Sequence, residues 1–444
     1  LTGDNGAYGP YRQRQRAGIY HICARYLVQA GLAYPCFLTE EELAEIRAQQ
    51  QAEKLNFGCY GRFAKYRDAS FAQYTALLES GKPWVVRLRS GGNAQNRIKV
   101  DDVVRGVLEM PENDQDVVLL KADGIPTYHF AHVVDDHFMR TTLVVRGEEW
   151  LATLPIHVQL FAAMGWKPPR YLHTAHLMKQ DGAGKRKLSK RKDPELALDF
   201  YGEQGYPVAA VKEYLMTLLN SNFEDWRAQN PEKPLEAFPF SVKKMGVSGA
   251  LFDMDKLDDV SKGVISRLTA QQVYEELLAW AQQHDAEFAA LLARDEGFSL
   301  AMLAIGRGGK KPRKDITRWG DARAYFSFYF EELFCPDYTL PDTVPAATAQ
   351  KMLAAWKDAY DPADDSAAWF DKVKALARAF GYADDMKAWR QAPENWPGSV
   401  ADVSMVLRLA TTGRKESPDL AEVMRVLGPQ EVCRRMDRMA AALA

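Results

Sequence analysis

The chain has 444 residues, and its 57 lysines and arginines nearly balance its 59 aspartates and glutamates, giving a formal net charge of −2. This length suits about three domains, and the near-neutral balance excludes a uniformly basic surface, so any polyanion must be bound by local patches. The five cysteines lack CxxC spacing, and no uncharged apolar stretch approaches the ~20 residues that cross a bilayer. We therefore expect a cytoplasmic protein with reduced thiols and no membrane segment.

The first predicted helix covers residues 12–30, because apolar side chains recur there at helical spacing and Gly31 stands where a C-terminal cap belongs. A second helix is predicted after Thr39, since Glu42 follows at the spacing of a capping box. The stretch 32–121 also contains the strand-like runs "WVVRLRS" and "DVVLL". This part of the chain thus indicates a mixture of helices and strands.

Residues 123–166 alternate between element types. We predict a turn, a helix, a short buried strand at Leu143–Val145, and a second helix with Pro155 in its first turn and Gly165 at its end. Such alternation indicates a βαβ unit in a parallel sheet. Ligands lie at the carboxyl ends of strands in these sheets, so Arg146 is well placed for binding.

The stretch "GKRKLSKRK", residues 184–192, places six basic residues in the eight positions from Lys185 to Lys192. It is flanked by Gly182 and Gly184, which predicts a mobile loop leading towards a helix. Such a run is usually a solvated surface loop, yet lysines also suit phosphates because each acts as a compact point charge. The residues alone leave both interpretations open.

Beyond residue 194 the chain is predicted to be helical. "DLAEVMRVLG" follows Pro418 and ends at Gly428, and the last helix carries an apolar stripe that we interpret as core. The segment "RGGKKPRKDITR", residues 307–318, has six basic residues in twelve. It is either a solvated loop or a patch for phosphates.

Several segments together resemble one enzyme family. "KLSKR", residues 187–191, resembles the KMSKS signature of class I aminoacyl-tRNA synthetases, and the stretch from Gly124 to Trp166 resembles the second half of the catalytic domain of bacterial glutamyl-tRNA synthetases. The opening "GAYGPYRQRQR" is similar to the start of their acceptor-end-binding insertion. "LRLATTGRKESPDLAEVMRVLG" is similar to their helical anticodon-binding domain. The resemblance therefore runs almost from end to end.

The resemblance implies an α/β plus all-α fold. A Rossmann-type class I catalytic domain with an α/β insertion is followed by helical stem-contact and helical anticodon-binding domains. The implied divisions are 1–121 for the end of the first Rossmann half and the insertion, 122–192 for the second Rossmann half, 193–268 for the stem-contact domain and 269–444 for the anticodon-binding domain. The family's HIGH-like tetrapeptide does not occur in this sequence, so the N-terminal part of the Rossmann domain is expected to be missing.

The implied activity is that of a glutamate–tRNA ligase, which uses ATP and Mg²⁺ to form glutamyl-adenylate and transfers glutamate to the 3′ end of tRNA(Glu). Lys187 and Lys190 are the catalytic candidates, because positioned cations stabilise charge on the phosphate oxygens. The implied glutamate site consists of Tyr128, His132 and Arg146, whose guanidinium can grip a carboxylate at two points. The implied ATP site comprises Lys187, Leu188, Ser189, Lys190, Arg191, Glu149 and Met178.

Two basic patches are expected to contact tRNA phosphates and to make binding depend on salt. The first lies at the acceptor-end region and comprises Arg12, Arg14 and Arg16. The second lies at the junction with the anticodon domain and comprises Lys310, Lys311, Arg313 and Lys314.

No protein-bound metal is expected. Asp135, Asp136 and His137 are adjacent on a predicted helix and cannot share a face, so a structural role is favoured. Zinc is bound by some family members, but here Leu38 stands where a second cysteine would follow Cys36, and the remaining thiols fall short of four ligands.

Two alternatives are disfavoured. A short relative that glutamylates a modified tRNA base lacks the working KMSKS lysine and the anticodon domain, whereas this chain has Lys190 and a C-terminal third that is predicted to be helical. A glutaminyl enzyme usually ends in β-barrels, whereas this chain is predicted to end in helices. Two further alternatives stay open. The chain could also be a catalytically incomplete tRNA-binding paralogue, or a non-discriminating enzyme that also charges tRNA(Gln). We expect a monomer.

Overall fold

The computed structural model describes residues 6–309 and 312–444, and the chain divides into two compact units. The first unit comprises Leu1–Met178, Leu219–Ser221 and Phe240–Leu251. The second comprises Lys179–Leu218, Asn222–Pro239 and Phe252–Ala444. The four domains inferred from the sequence remain a prediction.

The elements up to residue 187 are a mixture of helices and strands. In chain order they are α1 (Ala17–Gln29), β1 (Ala33–Cys36), α2 (Glu40–Ala52), α3 (Phe71–Glu79), β2 (Val85–Leu88), β3 (Arg97–Asp102), β4 (Gly106–Pro111), β5 (Val118–Leu120), α4 (Tyr128–Phe138), β6 (Leu143–Gly147), α5 (Leu154–Ala163), β7 (Arg170–Thr174), β8 (Leu177–Asp181) and β9 (Gly184–Lys187).

The elements after residue 187 are helices, apart from the short strand β10. They are α6 (Leu198–Gln204), α7 (Val208–Leu219), α8 (Phe223–Gln229), β10 (Ala250–Leu251), α9 (Met254–Arg267), α10 (Ala270–His284), α11 (Ala286–Arg294), α12 (Glu296–Ala304), α13 (Ala322–Phe326), α14 (Ala346–Ala359), α15 (Ser366–Ala379), α16 (Met386–Gln391), α17 (Val400–Thr412), α18 (Leu420–Leu427) and α19 (Pro429–Ala442). The predicted helical character of this part is confirmed.

Two sheets organise the first unit. Strands β1, β2 and β5 form an antiparallel sheet with β2 in the middle. The other sheet has the order β4-β3-β7-β6, in which β3 and β6 both run parallel to β7. Parallel strands end at the same edge of a sheet, so the ends of β3, β6 and β7 bring Asp102, Arg146 and His173 together, and Arg146 is the register partner of His173.

Local signals in the sequence predicted several element boundaries correctly. Helix α2 begins after Thr39, which forms the predicted capping box with Glu42. Helix α5 has Pro155 in its first turn, and Gly165 follows it with a φ of +70°. Each signal depends on hydrogen bonds between neighbours in the chain, so it can be read without knowledge of the tertiary fold.

The strand at Leu143–Val145 was predicted to be buried, and this is wrong. Strand β6 covers Leu143–Gly147 at the end of its sheet, where it pairs with β7, and Val145 is 61% exposed. An apolar run of this length is equally compatible with an edge strand, because periodicity does not reveal how many neighbours a strand has.

Each unit has its own hydrophobic core. In the first unit, residues of α1, β1, β2, β5, α4 and α5 pack together around Tyr20, Leu27 and Phe130. In the second unit, the predicted stripe of α19 is buried against α14 and α17, which confirms its core role; its buried members are Val432, Met436 and Met439.

Candidate functional site

Arg146, at the end of β6, lies among polar side chains of the first unit. Its Nε donates to His173 Nε2 at 2.9 Å, and its Nη1 donates to His157 Nδ1 at 3.2 Å. A longer contact of 3.4 Å joins Nη1 to the Tyr128 hydroxyl oxygen. The buried Nη2 has no hydrogen-bond partner among the described residues. Since an unpaired buried donor is costly, this nitrogen is suited to an acceptor on a ligand.

Tyr128, the first residue of α4, forms the exposed side of this site. Its side chain is 42% exposed, and its ring lies 4.3 Å from the ring of Trp150. Because Arg146 donates to the oxygen of Tyr128, the hydroxyl hydrogen can point towards an acceptor in solution. Trp150 was not predicted from the sequence, since its position next to Tyr128 depends on the tertiary placement of the 3-10 helix Glu148–Thr153.

His132 lies one helical turn further along α4, with its ring stacked at 5.8 Å from that of Tyr128. Its Nδ1 contacts Asp136 at 2.6 Å, and its Nε2 lies 3.1 Å from the Tyr171 hydroxyl. Both ring nitrogens are therefore engaged by the protein. His132 thus borders the site through its ring, and its direct contact with glutamate stays a prediction.

The other members of the Asp135–His137 run point in different directions, as adjacent helical residues must. Asp135 accepts hydrogen bonds from Arg16 and Tyr20, and the ring of His137 stacks at 3.8 Å on Trp166. Asp135 and His137 thus hold α4 against its neighbours. In the described residues, no group of three or more His, Cys, Asp and Glu side chains is arranged to hold a metal ion.

Behind Arg146, two buried histidines are held in defined orientations. His173 Nδ1 lies 2.8 Å from Asp102 Oδ2, and His157 Nε2 lies 3.0 Å from His129 Nδ1. Burial lowers the pKa of His157 far below its usual range and also lowers the pKa of His173, so both rings are neutral at neutral pH. The sequence analysis did not identify His157 or His173 as part of the site. For His173, a histidine within the largely apolar run "YLHT" was a usable signal.

Glu149 and Met178, predicted to line the ATP site, are also in the first unit. Glu149 is exposed and folds over Gly147, where a Cβ atom would collide with its carboxylate. Met178 on β8 is the register partner of Leu251, and a Cβ at Gly249 would collide with its Cγ. Glycine at these two positions thus leaves room for both side chains, while their contact with ATP stays a prediction.

In the second unit, the basic stretch 184–192 contains a strand, where a loop was predicted. Its first half is strand β9, and a turn follows at residues 190–192. Leu188 is 3% exposed, which anchors the turn, whereas Lys190 and Arg191 are exposed. The strand forms because Gly182 adopts a φ of +57° and closes a hairpin with β8.

A buried carboxylate joins the two ends of this basic stretch. Asp193 is 1% exposed and accepts hydrogen bonds from both terminal nitrogens of Arg186, at 2.6 and 2.7 Å, and from the backbone of Ser189 at 2.8 Å. The Arg186 guanidinium holds the pKa of Asp193 well below its usual range. Lys179 lies 3.6 Å away. We define these contacts as the Asp193 clamp; it was not predicted from the sequence.

The three arginines of the first basic patch differ in their exposure. Arg12 and Arg14 are exposed, as a contact with tRNA requires. Arg16 is 3% exposed, donates to Asp135 at 2.8 Å and also bonds the backbone oxygens of Tyr8 and Pro10. The predicted tRNA contact of Arg16 is therefore corrected: this side chain holds the start of α1 and does not reach the surface.

The second basic patch is only partly visible, since Lys310 and Lys311 lie outside the described residues. Lys314 is exposed, and Arg313 pairs with Asp315. Arg313 also borders a cavity of about 650 Å³, in which Arg408 has a buried Nε without a hydrogen-bond partner among the described residues. The lining residues are Arg313, Asp315, Tyr325, Arg408, Arg414, Lys415, Glu416 and Ser417.

Two protein-family models match parts of this chain. A family model for the catalytic domain of class I tRNA synthetases (E and Q) matches residues 1–259, and a model for an anticodon binding domain matches residues 397–440. Over the described residues, no helix is both long and apolar enough to cross a membrane.

Two relatives and one solved structure show the extent of the similarity. The chain is 50% identical to a glutamate–tRNA ligase of Acetivibrio thermocellus, over 99% of this chain and 80% of the relative. It is 46% identical to a glutamate–tRNA ligase of Sorangium cellulosum, over 98% of this chain and 79% of the relative. A crystal structure of a glutamate tRNA ligase from Elizabethkingia meningosepticum in complex with its amino acid superimposes with a TM-score of 0.75 at 25% identity, covering 99% of this chain and 85% of that one. The predicted fold class is confirmed.

Proposed function

This chain belongs to the class I tRNA synthetases for E and Q, and on that premise we propose that it is a glutamate–tRNA ligase. The carboxylate of L-glutamate attacks the α-phosphate of ATP, which gives glutamyl-adenylate and releases pyrophosphate. The glutamyl group then passes to the 3′ end of tRNA(Glu). The observation that carries the proposal within the structure is the guanidinium of Arg146, whose buried Nη2 lacks a partner among the described residues.

We propose that Arg146 and Tyr128 bind glutamate. Nη2 of Arg146, which has no partner among the described residues, can donate to a carboxylate oxygen, and such a charge-assisted hydrogen bond is shorter and stronger than one between neutral groups. Tyr128 can donate a further hydrogen bond, since its oxygen already accepts from Arg146. His132 contributes by stacking on Tyr128, which limits the movement of that ring.

The phosphates of ATP are proposed to meet Lys187 and Lys190, together with Leu188, Ser189 and Arg191 of the KLSKR segment. Lys187 at the end of β9 and Lys190 in the following turn are exposed cations on either side of the buried Leu188, and such cations can stabilise charge that develops on phosphate oxygens. Glu149 and Met178 complete the proposed ATP site. Mg²⁺ is proposed to enter on the triphosphate, because the described residues contain no ligand cluster of their own.

The proposed tRNA contacts are Arg12 and Arg14 in the first unit, and Arg313 and Lys314 with the neighbouring cavity in the second. That cavity combines four basic side chains with Tyr325, and unstacked bases are bound by aromatic and guanidinium planes. We propose that the enzyme acts as a monomer in the cytoplasm; its cysteines are all free.

Glutamate-dependent exchange of pyrophosphate into ATP, measured with the full-length enzyme and with tRNA present, tests the proposal. Glutamate should support exchange, whereas aspartate and glutamine, which differ by a methylene and an amide, should support little. Charging of tRNA(Glu) and tRNA(Gln) is then compared, and charging of both would assign a non-discriminating enzyme. Salt-dependent tRNA binding without exchange for any amino acid would overturn the ligase assignment and favour a tRNA-binding paralogue.

A further inference from the structure

The orientation of the Arg146 guanidinium is set by two ring nitrogens that must be free of protons. His173 Nε2 accepts from Nε at 2.9 Å, and His157 Nδ1 accepts from Nη1 at 3.2 Å. A histidine can accept on one nitrogen only in its neutral form, with the hydrogen on the other nitrogen. Both rings are fully buried, which disfavours the charged form.

Asp102 selects the required tautomer of His173. Its Oδ2 accepts from His173 Nδ1 at 2.8 Å, so the hydrogen of this ring resides on Nδ1 and leaves Nε2 free to accept from Arg146. The carboxylate is fully buried and is itself fixed by three backbone N–H groups, those of His173, Val104 and Arg105, at 2.9 to 3.0 Å.

The three side chains lie on adjacent parallel strands. Asp102 ends β3, His173 is on β7 and Arg146 is on β6, and the sheet order places β7 between the other two. A change in the tautomer of His173 would place an N–H against the N–H of Arg146 Nε. The guanidinium would then rotate, and Nη2 would no longer point at the carboxylate that it is proposed to bind.

We propose that Asp102 and His173 are positioning residues for the amino-acid substrate: through the His173 tautomer they hold the Arg146 guanidinium in the plane that binds the glutamate carboxylate. The inference rests on the proposed glutamate site at Arg146. It adds two residues that touch neither substrate. Their loss should therefore weaken glutamate binding selectively and leave ATP binding unchanged.

Two substitutions of similar size separate this role from a structural one. In His173→Gln the amide oxygen reaches the place of Nε2 and can still accept from Arg146. In His173→Asn the amide reaches only the place of Nδ1, so it keeps the contact with Asp102 and loses the one with Arg146. The KM for glutamate should rise about tenfold or more in His173→Asn and about threefold or less in His173→Gln, because a hydrogen bond to a charged group is lost only in the first.

A third variant tests the same positioning role by changing Asp102. In Asp102→Asn the amide oxygen can still accept from Val104 and Arg105, but its N–H₂ group would face both the backbone N–H and Nδ1 of His173, so it loses one backbone hydrogen bond and forces the other tautomer. The KM for glutamate should again rise about tenfold, with the KM for ATP unchanged. Leu172→Val, a change in the same strand whose side chain is buried, is the control for simple loss of stability.

The measurements are the KM values for glutamate and ATP in pyrophosphate exchange, with melting temperatures of each variant. Equal KM values for glutamate in His173→Asn, His173→Gln and the unmodified enzyme would overturn the inference, as would a parallel rise in the KM for ATP. Arg146→Ala is assayed alongside. If Arg146→Ala leaves the KM for glutamate unchanged, the proposed glutamate site is wrong. If Arg146→Ala raises this KM but the His173 and Asp102 variants do not, the site stands and the positioning role is wrong.

Discussion

Lys190 and Lys192 lie in the same exposed turn of the second unit, yet only the first is assigned to catalysis. Lys190→Ala should lower kcat for pyrophosphate exchange by about 10²–10³, the usual effect of removing one donor that stabilises transition-state charge. The affinity for tRNA should change little. Lys192→Ala, which removes a neighbouring charge, should leave kcat nearly unchanged.

Steady-state exchange kinetics for both variants provide the test. A loss of less than about threefold in Lys190→Ala would remove the catalytic assignment, since a transition-state contact is worth far more. Similar losses in both variants would mean that the turn acts through its overall charge.

His157 gives the first unit a predicted dependence on pH. Burial lowers its pKa in the folded state, so the unfolded chain binds a proton more readily. Stability should therefore be complete above the unfolded-state pKa of about 6.5 and fall as the pH drops below it, by up to about 1.4 kcal/mol per pH unit for this group.

Denaturant unfolding of the first unit's core at pH 7.5 and pH 5.5 measures this effect. His157→Gln is expected to lower stability at pH 7.5 but to show a smaller difference between the two pH values, because its amide does not titrate. An unchanged difference would assign the pH dependence to other groups, among which His173 also has a lowered pKa.

At the scale of elements, the Asp193 clamp keeps the turn after β9 in place. Asp193→Ala would leave Arg186 and Lys179 without their shared buried carboxylate, and the turn should open more often. Trypsin, which cleaves after lysine and arginine, should then cut within residues 185–192 about fivefold faster or more.

Asp181 offers a matched control, since it also contacts Arg186, at 3.1 Å, but is 64% exposed. Exposed pairs contribute little, so Asp181→Ala should be cut at nearly the rate of the unmodified protein. Mass spectrometry of timed digests locates the cuts. Equal cleavage rates in Asp193→Ala and the unmodified chain would show that β9 and Leu188 hold the turn without the clamp.

At the scale of the whole molecule, the exposed Arg14 is expected to contact tRNA, whereas the buried Arg16 of the same segment is expected to stabilise the fold. Arg14→Ala should weaken tRNA binding and reduce the slope of log K against log salt by about one, as expected for one lost phosphate contact. Arg16→Ala should instead lower the free energy of unfolding by about 1–3 kcal/mol, because Asp135 would keep a half-buried charge with only the hydroxyl of Tyr20 as its partner.

Filter binding at several salt concentrations and thermal unfolding separate these roles. The assignment of Arg14 fails if its variant binds tRNA with the original salt slope. The assignment of Arg16 fails if its variant is as stable as the unmodified chain and loses tRNA affinity.

The sequence by itself determined what depends on neighbouring residues and on family motifs. The Thr39–Glu42 capping box, the helix end at Gly165 and the boundaries of α18 involve hydrogen bonds within a few positions, so spacing alone predicts them. The KLSKR segment and the resemblance of its surroundings likewise indicated the family, because they keep their order along the chain.

Only the tertiary structure decided which distant side chains meet. Asp102 and His173 are 71 positions apart, and Arg16 and Asp135 are 119 apart; no periodicity records such pairs. The exposure of Val145 and the burial of Arg16 depend in the same way on which elements pack beside them. Residue type and spacing constrain the local backbone, whereas burial, tautomer and ion pairing are set by neighbours that the fold brings from elsewhere in the chain.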